Sequence, residues 1–252
     1  VGYIIGILDD ISQLKQSEDR LSYLAHHDIL TGTANRAFLL SWFGKIKPVL
    51  QQKEQLALLF IDLDRFKPIN DSFGHGVGDE VLKVLATRLQ EQIGPNELVA
   101  RIGGDEFVMI WRRAMTESAL MDKAGKLLER IEAPVQVEGH ELSVGASIGV
   151  SLYPEHGLEL ETLLRYADTA MYEAKTYSNT RVCLFDRGHF ARLELQQWLA
   201  GDLPRAIEDQ QLYLEYQPSL ALDSYRWNSL EALLRWRHPE LGVLYPAQFL
   251  PA

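Results

Sequence analysis

The stretch Leu56-Ala-Leu-Leu-Phe-Ile61-Asp62-Leu63-Asp64 decides the fold of this chain. It opens with an uninterrupted apolar run, which is typical of a β-strand that is covered on both faces. From this strand onward, apolar runs of strand length alternate with stretches whose apolar residues recur at helical spacing. The alternation predicts an α/β domain with a mixed central β-sheet flanked by helices.

Further elements of the same domain are predicted downstream of this strand. Strands are expected at residues 99–102, 107–111, 135–137 and 142–152, and helices at residues 81–89, 118–131 and 160–174. The link Gly103-Gly104-Asp105-Glu106 joins two of these strands and is short enough to predict a tight hairpin. Residues 28–186 are therefore expected to form one domain. Short strands rich in aromatic residues are expected from near residue 212 onward, and their composition differs from that of the first domain. This second segment is too short to form a complete domain.

Composition excludes several classes of protein. The 252 residues are 46% hydrophobic and 24% charged, which excludes disordered, collagen-like and low-complexity chains and allows one or two domains. The net charge of -10 disfavours nonspecific binding to nucleic acid or to an anionic membrane, so an anionic ligand would need locally placed cations. The single cysteine, Cys183, lies in a predicted strand and is interpreted as a buried, unreactive thiol in a reducing compartment.

Two carboxylate clusters stand at predicted strand ends. Asp62 and Asp64 follow the apolar strand, and Asp105 and Glu106 lie at the hairpin tip. If the two strands are neighbours in one sheet, these side chains converge into a hard-oxygen site that suits octahedral Mg²⁺ and its bound phosphates. Leu63 faces the opposite side of the strand, so only its carbonyl could contribute. The alternative is that all four carboxylates are solvated turn residues.

A glycine-rich segment, residues 66–79, leads into the first predicted helix after the apolar strand. Its glycines would let the backbone approach a ligand, Lys67 could meet a phosphate, and Asn70 with Asp79 could read the edge of a purine. Asp79 is equally suited to cap the following helix, and His75 could be an ordinary surface residue.

Asp168 and Lys175 lie seven residues apart on the last predicted helix of the domain, and hence near one face. Two interpretations stay open for this pair. It forms an ion pair or a solvated face, or Lys175 reaches into a phosphate site.

Together these segments resemble the GGDEF-domain diguanylate cyclases, because the signature word Gly103-Gly104-Asp105-Glu106-Phe107 is intact. The likeness extends to Asp28-x-Leu-Thr-Gly-x-x-Asn35-Arg36, to the segment from Phe60 through Asp62, Asp64, Lys67, Asn70 and His75 to Asp79, and to Ala167-Asp168-x-Ala-Met-Tyr172-x-Ala-Lys175. It covers residues 28–186 in the expected order and spacing.

The resemblance implies a nucleotidyl-cyclase-like fold and an activity. Two GTP molecules, each held by one protomer of a homodimer, would be joined into cyclic di-GMP with release of pyrophosphate. The implied ligands of two Mg²⁺ (or Mn²⁺) ions per half-site are Asp62, the carbonyl of Leu63, Asp105 and Glu106, of which Asp105 and Glu106 are also the implied catalytic residues. The implied GTP-binding residues are Lys67 and Lys175 for phosphates, Asn70 and Asp79 for guanine, and His75, Gly103 and Gly104. In-line attack on an α-phosphate needs positioning and charge neutralisation, which divalent metals supply.

The flanking segments resemble neighbours of such a domain. Residues 2–11 look like the final strand of a PAS-type sensor, and residues 14–24 like a signalling helix. Downstream, Glu231-Ala-Leu-Leu-Arg235-Trp-Arg-His-Pro239 resembles the opening of an EAL phosphodiesterase domain. The expected organisation is a sensor strand and signalling helix (1–27), a GGDEF domain (28–186), a linker helix (187–202) and a truncated EAL start (203–252), all cytoplasmic and without membrane contact. Glu231 would be an EAL metal ligand, but the other ligands would lie beyond residue 252, so no phosphodiesterase activity is expected.

Three departures from the family pattern bear on activity. Where the family usually has Gly-Arg-Asn after the lysine of the last helix, this chain has Ser178-Asn179-Thr180, which removes a cation that could meet a phosphate. In the motif that runs from Asp28 to Arg36, Thr33-Ala34 replaces the Leu-Pro that is usual in the family. Gly94 and Glu97 stand where an Arg-x-x-Asp product-inhibition site is usual, so tight feedback by the product is not expected there. Two other functions stay open: a GTP-binding module that regulates an attached EAL phosphodiesterase without turnover, and a scaffold that only dimerises.

Overall fold

The computed structural model describes residues 20–21, 23–50, 54–113, 116–176, 180–221 and 226–250. The predicted sensor strand and most of the predicted signalling helix lie outside these residues, as does Asn179. The end of that helix is described, and its backbone is helical at residues 20–21 and 23–26. The chain divides into two compact units, Val1–Phe185 and Asp186–Ala252.

The first unit alternates strands and helices as the hydrophobic pattern predicts. Its helices are α1 (Arg36–Ile46, followed by a 3₁₀ turn at Lys47–Val49), α2 (Phe66–Phe73), α3 (His75–Gln90), α4 (Glu117–Glu132) and α5 (Leu160–Thr176). Its strands are β1 (Gln55–Asp64), β2 (Leu98–Gly103), β3 (Glu106–Arg113), β4 (Val135–Val137), β5 (His140–Leu142), β6 (Gly145–Tyr153) and β7 (Val182–Leu184).

The main sheet has five strands in the order β2-β3-β1-β6-β7. All neighbours are antiparallel except β6 and β7, which are parallel, so the predicted mixed sheet is confirmed. Strand β1 occupies the centre and is buried on both sides. Ala57, Leu59 and Ile61 belong to one hydrophobic cluster, and the alternate residues of the same strand belong to another. This two-sided burial explains why the strand is apolar without interruption.

Helices cover the two faces of the sheet. One cluster contains apolar residues of α3 and α4, such as Leu85 and Leu127, and the other contains residues of α1 and α5, such as Leu39 and Leu163. Helix α5 approaches β6 at Gly149, where an added Cβ would lie 1.9 Å from the carbonyl oxygen of Ala167. The glycine therefore allows α5 to pack directly on the strand beside β1.

Two local predictions were wrong, and one of the alternatives for Asp79 is excluded. Residues 142–152 are not one strand, because β5 first closes a hairpin with β4 and the chain joins the main sheet only at Gly145. Asp79 does not cap a helix: α3 already begins at His75, and the amide of Gly78 donates to the carbonyl of Gly74 at 3.3 Å. Cys183 is half-buried, because its strand β7 is at the edge of the sheet.

The second unit contains a long helix, α6 (Arg187–Glu208), strands β8 (Leu212–Ala221), β9 (Arg226–His238) and β10 (Gly242–Leu244), and a short helix, α7 (Pro246–Phe249). The strands form an antiparallel sheet in the order β10-β9-β8. The buried core formed by its described residues is small and consists of Leu199, Ala206, Trp236, Leu244 and Phe249. Among the described residues of both units, no helix combines the length and the apolar character that crossing a membrane requires.

Candidate active site

The two carboxylate clusters lie side by side at one end of β1 and β3. Asp62 of β1 is the direct partner of Glu106 of β3 in the antiparallel register. The amide of Leu63 donates to the carbonyl of Asp105 at 3.3 Å, which ties the hairpin tip to β1. The structure thus brings Asp62, Asp105 and Glu106 together, because the strand that carries the signature word is the sheet neighbour of the apolar strand.

The hairpin that carries the signature word is held by an arginine. Arg101 donates to the carbonyl of Gly104 from Nε at 3.0 Å and from Nη2 at 2.7 Å. Its Nη1 reaches Asp28 at 3.0 Å. Burial alone would raise the pKa of Asp28, but hydrogen bonds from Thr31 and Arg101 lower it overall. Asp28 and Arg101 therefore fix the turn at Gly104, whose φ of 36° lies in the left-handed region.

Cations lie against both aspartates of β1. Lys175 of α5 forms an ion pair with Asp62, and its Nζ lies 3.8 Å from Oδ1 of Asp64. Arg181, which precedes β7, forms an ion pair with Asp64. Ser147 of β6 donates to both oxygens of Asp64, at 3.2 and 3.1 Å. Lys175 thus extends toward the strand-end carboxylates, and the ion pair that it forms is with Asp62. Its contact with a phosphate stays a prediction.

The electrostatics of the site reflect an excess of negative charge. Burial raises the pKa of Asp62 and outweighs the opposing effect of Lys175. The pKa values of Glu106 and Asp168 are raised first by burial and then by neighbouring carboxylates, above all Asp62. Burial would lower the pKa of Lys175, but the hydrogen bond and the charges of the aspartates raise it overall. Three acids in one place therefore ionise less readily than they would in water.

The segment predicted to bind guanine forms the helix pair α2 and α3. An added Cβ at Gly78 would lie 1.9 Å from Oδ1 of Asn70, so the amide side chain of Asn70 rests on the backbone of α3. Lys67, His75 and Asp79 are exposed. Within the described residues, no recorded hydrogen bond or ion pair links these three side chains to the strand-end carboxylates.

The carboxylates at the strand ends and the carbonyl of Leu63 are oxygen ligands of the kind that a hard divalent cation binds. Carboxylate and carbonyl oxygens are the ligands that Mg²⁺ prefers. A divalent cation would also relieve the repulsion between carboxylates, which adds to the effect of burial in raising the pKa of Glu106. The described side chains do not, as they stand, place three or more acidic, histidine or cysteine groups in an arrangement that could hold a metal ion. Lys175 and Arg181 contact Asp62 and Asp64 instead.

The remaining candidates lie apart from this cluster. Glu97 accepts from the amide of Gly94 at 2.7 Å and from the amide of Arg112 at 3.0 Å, so its carboxylate braces the loop before β2. Glu231 is exposed on β9 of the second unit, opposite Gln217.

Sequence reasoning missed three side chains that shape the site: Arg101, Ser147 and Arg181. It considered Asp168 only as a partner of Lys175 or as part of a solvated face, and did not expect it near Asp62. Each of these side chains lies on or beside a neighbouring strand or helix, and only the order of the strands in the sheet brings it close to the site. The one usable signal was the predicted strand around Cys183, which was expected to begin at Arg181.

Comparisons with known proteins agree with this geometry. Residues 25–181 match the family model described as "Diguanylate cyclase, GGDEF domain", and residues 200–252 match the model of the EAL domain. A bifunctional diguanylate cyclase/cyclic di-GMP phosphodiesterase, MucR of Pseudomonas aeruginosa, is 37% identical over 100% of this chain and 38% of its own length. The cyclic di-GMP phosphodiesterase NbdA of the same species is 36% identical over 95% of this chain and 31% of its own length.

A solved structure of a sensory box/GGDEF family protein from Caulobacter crescentus is also similar. It is 41% identical, with a TM-score of 0.58, and the match covers 61% of this chain and 100% of that one. The chain spans about a third of the length of the two curated relatives, at 38% and 31%. By its family match, its signature hairpin and this structural likeness, the chain belongs to the GGDEF domain family of diguanylate cyclases.

Proposed function

We propose that the chain condenses two GTP molecules into cyclic di-GMP and pyrophosphate, in a Mg²⁺-dependent reaction that requires a homodimer. The observation that carries this proposal is the meeting of Asp62, Asp105 and Glu106 at adjacent strand ends, with Lys175 against them. In the reaction, the ribose 3′-hydroxyl of each GTP attacks the α-phosphorus of the other, so two phosphodiester bonds form and two pyrophosphates leave. Each copy of the chain would hold one GTP, so the two reacting groups meet only in the dimer.

The strand-end residues would have different roles in the proposed reaction. Asp62, the carbonyl of Leu63 and Asp105 would hold the Mg²⁺ ions, with Glu106 assisting. When bound, these ions would neutralise the phosphate charge and polarise the α-phosphate. Burial and the neighbouring carboxylates raise the pKa of Glu106, which suits that carboxylate to accept the proton of the 3′-hydroxyl.

The nucleotide would be held by groups from the helices around the strand ends. Asn70 and Asp79 present an amide and a carboxylate, which match the donors and acceptors on the edge of guanine. Lys67 and Lys175 would contact phosphates, and the backbone at Gly103 and Gly104 leaves room for them. His75, exposed at the start of α3, would border the same nucleotide.

The direct test is to incubate the purified dimer with GTP and Mg²⁺ and to measure cyclic di-GMP and pyrophosphate. Asp105→Ala is expected to lower the rate about a hundredfold or more, because it removes a proposed metal ligand. Asp122→Ala, which removes an exposed acid from α4, serves as the matched control and should leave the rate unchanged. A confirmed dimer that binds GTP and forms no product would refute the proposed synthesis.

A second function is favoured by a relative. NbdA, which is 36% identical to this chain, carries the name of a phosphodiesterase. In this alternative the domain binds GTP without turnover and regulates an attached EAL phosphodiesterase. Saturable GTP binding without release of pyrophosphate would establish it over synthesis.

A further inference from the structure

Arg181 stands at the edge of the carboxylate cluster and has no assigned role in the proposed reaction. It precedes β7, and its guanidinium forms an ion pair with Asp64. The side chain of Arg181 is 50% exposed, whereas that of Asp64 is only 12% exposed. A half-exposed cation is therefore anchored on a carboxylate that lies largely inside the protein.

Asp64 is already committed to protein donors. It accepts from Ser147 at 3.2 and 3.1 Å and lies 3.8 Å from Nζ of Lys175, in addition to its ion pair with Arg181. Its two oxygens therefore serve three side chains. This arrangement makes Asp64 a positioning residue that orients cations, and it distinguishes Asp64 from Asp62, which faces Glu106 across the strands.

The backbone beside Asp64 leaves space for the guanidinium. Gly145 is the first residue of β6, and an added Cβ there would lie 2.8 Å from Nη1 of Arg181 and 3.4 Å from Cβ of Asp64. An added methyl group there would require the guanidinium of Arg181 to shift. Strand β6, Ser147 and Asp64 thus define one position for the side chain of Arg181.

We infer that Arg181 is a binding residue for the polyphosphate of the nucleotide, oriented by Asp64. Arginine carries five N–H donors, and a carboxylate that also accepts from Ser147 cannot satisfy all of them. The planar fork of a guanidinium matches two phosphate oxygens, which a lysine ammonium cannot do. An acidic cluster that is to accept a polyanion also needs cations beside it, and Arg181 and Lys175 lie against these aspartates. This inference rests on the proposed function, since GTP is the nucleotide considered.

The competing explanation is that the Arg181–Asp64 pair only stabilises the fold. Nucleotides with different numbers of phosphates distinguish the two explanations. If Arg181 only stabilises the fold, its removal should weaken the binding of every nucleotide equally. The experiment measures the affinity of the full chain for GMP, GDP and a GTP analogue with a methylene bridge between the α and β phosphorus atoms, by calorimetry with Mg²⁺. The bridged analogue cannot release pyrophosphate.

For Arg181→Ala we expect a loss of affinity that grows with phosphate number. The loss should be about tenfold or more for the triphosphate analogue, about threefold for GDP and less than about twofold for GMP. Arg181→Lys should recover only part of the loss. Arg130→Ala, which removes an exposed arginine from α4, is the matched control for net charge.

A second variant guards against simple misfolding of the first. Gly145→Ala keeps Arg181 but requires its guanidinium to shift, so it should give a smaller loss of affinity with the same dependence on phosphate number. Equal losses for all three nucleotides, or no loss, would overturn the inference while leaving the proposed function intact. A wild-type chain that binds none of the three nucleotides would instead overturn the proposed function, and this inference with it.

Discussion

Asp168 is a carboxylate whose ionisation the folded protein opposes. It lies on α5, and its pKa is raised above the ordinary value of 3.8, first by burial and then by the charge of Asp62. A raised pKa means that the folded state binds the proton more tightly than the unfolded state does. As pH rises from 3.8 through the folded pKa, Asp168 therefore lowers the free energy of unfolding. Below that range its contribution vanishes, because the group is protonated in both states.

Asp168→Asn is accordingly expected to stabilise the metal-free protein at neutral pH. The gain should stay below about 1 kcal/mol, because the side chain is partly exposed to solvent. Urea unfolding at about pH 7 and about pH 3 measures it, and the gain should disappear at the lower pH. Asp122→Asn on α4 is the matched control. An equal gain at both pH values would show that the effect does not come from ionisation.

Lys175 is the side chain that a divalent cation would have to displace. Its ammonium contacts Asp62 and lies 3.8 Å from Asp64. Two cations cannot share the same carboxylate oxygens without repulsion. Lys175→Gln is therefore expected to tighten the binding of Mn²⁺ by several-fold in the absence of nucleotide.

The free Mn²⁺ signal in electron paramagnetic resonance measures this affinity directly. Lys126→Gln removes the same charge from an exposed position on α4 and should change the affinity little. If both variants bind Mn²⁺ equally well, the effect is one of overall charge, and Lys175 does not compete with the metal.

At the scale of elements, the packing of α5 on β6 positions the site. At Gly149 an added Cβ would lie 1.9 Å from the carbonyl oxygen of Ala167 and 2.2 Å from the amide nitrogen of Met171. These are backbone atoms, so they cannot move aside as a side chain can. The same helix carries Asp168 and Lys175, so its distance from the sheet decides where those two side chains lie.

Gly149→Ala is expected to destabilise the first unit by about 3 kcal/mol, at the upper end of the usual cost of overpacking. Gly125→Ala, in the middle of α4, is the matched control: its Cβ would meet nothing within 4 Å, and alanine favours the helix by about 0.5–1 kcal/mol. Urea unfolding followed by circular dichroism measures both. A tolerated Gly149→Ala would mean that α5 can shift outward freely, and then Lys175 would not be held at Asp62 by packing.

The sequence predicts those elements whose patterns are local. The apolar run at β1 and the short link of the signature hairpin both indicate structure within a few residues, and both are found. The separate hairpin of β4 and β5 was missed, because its apolar residues continue directly into β6. The partners of Asp64 could not be predicted. Ser147 and Arg181 come near it only through the neighbouring strands of the sheet, and sequence spacing does not reveal such pairings.

At the scale of the whole molecule, the two units differ in how much core they bury. The first unit packs two hydrophobic clusters around a central sheet, and all the strand-end carboxylates lie in it. Among its described residues, the second unit has one cluster of five buried residues. A small core supplies little stabilisation, since the free energy of folding scales with the apolar area buried.

A chain that ends after Phe185 is therefore expected to keep the stability and the GTP affinity of the first unit. No residue proposed to bind GTP lies beyond that point. The solved structure from Caulobacter crescentus matches only 61% of this chain, yet the match covers 100% of that structure. Urea unfolding of the shortened and the full chain, followed by circular dichroism and tryptophan fluorescence, compares the stabilities, and calorimetry compares the affinities. Trp42 and Trp111 report on the first unit, and Trp198, Trp227 and Trp236 on the second. The full chain should show an additional transition at lower urea from the smaller core. A shortened chain that unfolds at lower urea than the first unit of the full chain, or that binds GTP more weakly, would show that the first unit depends on the second.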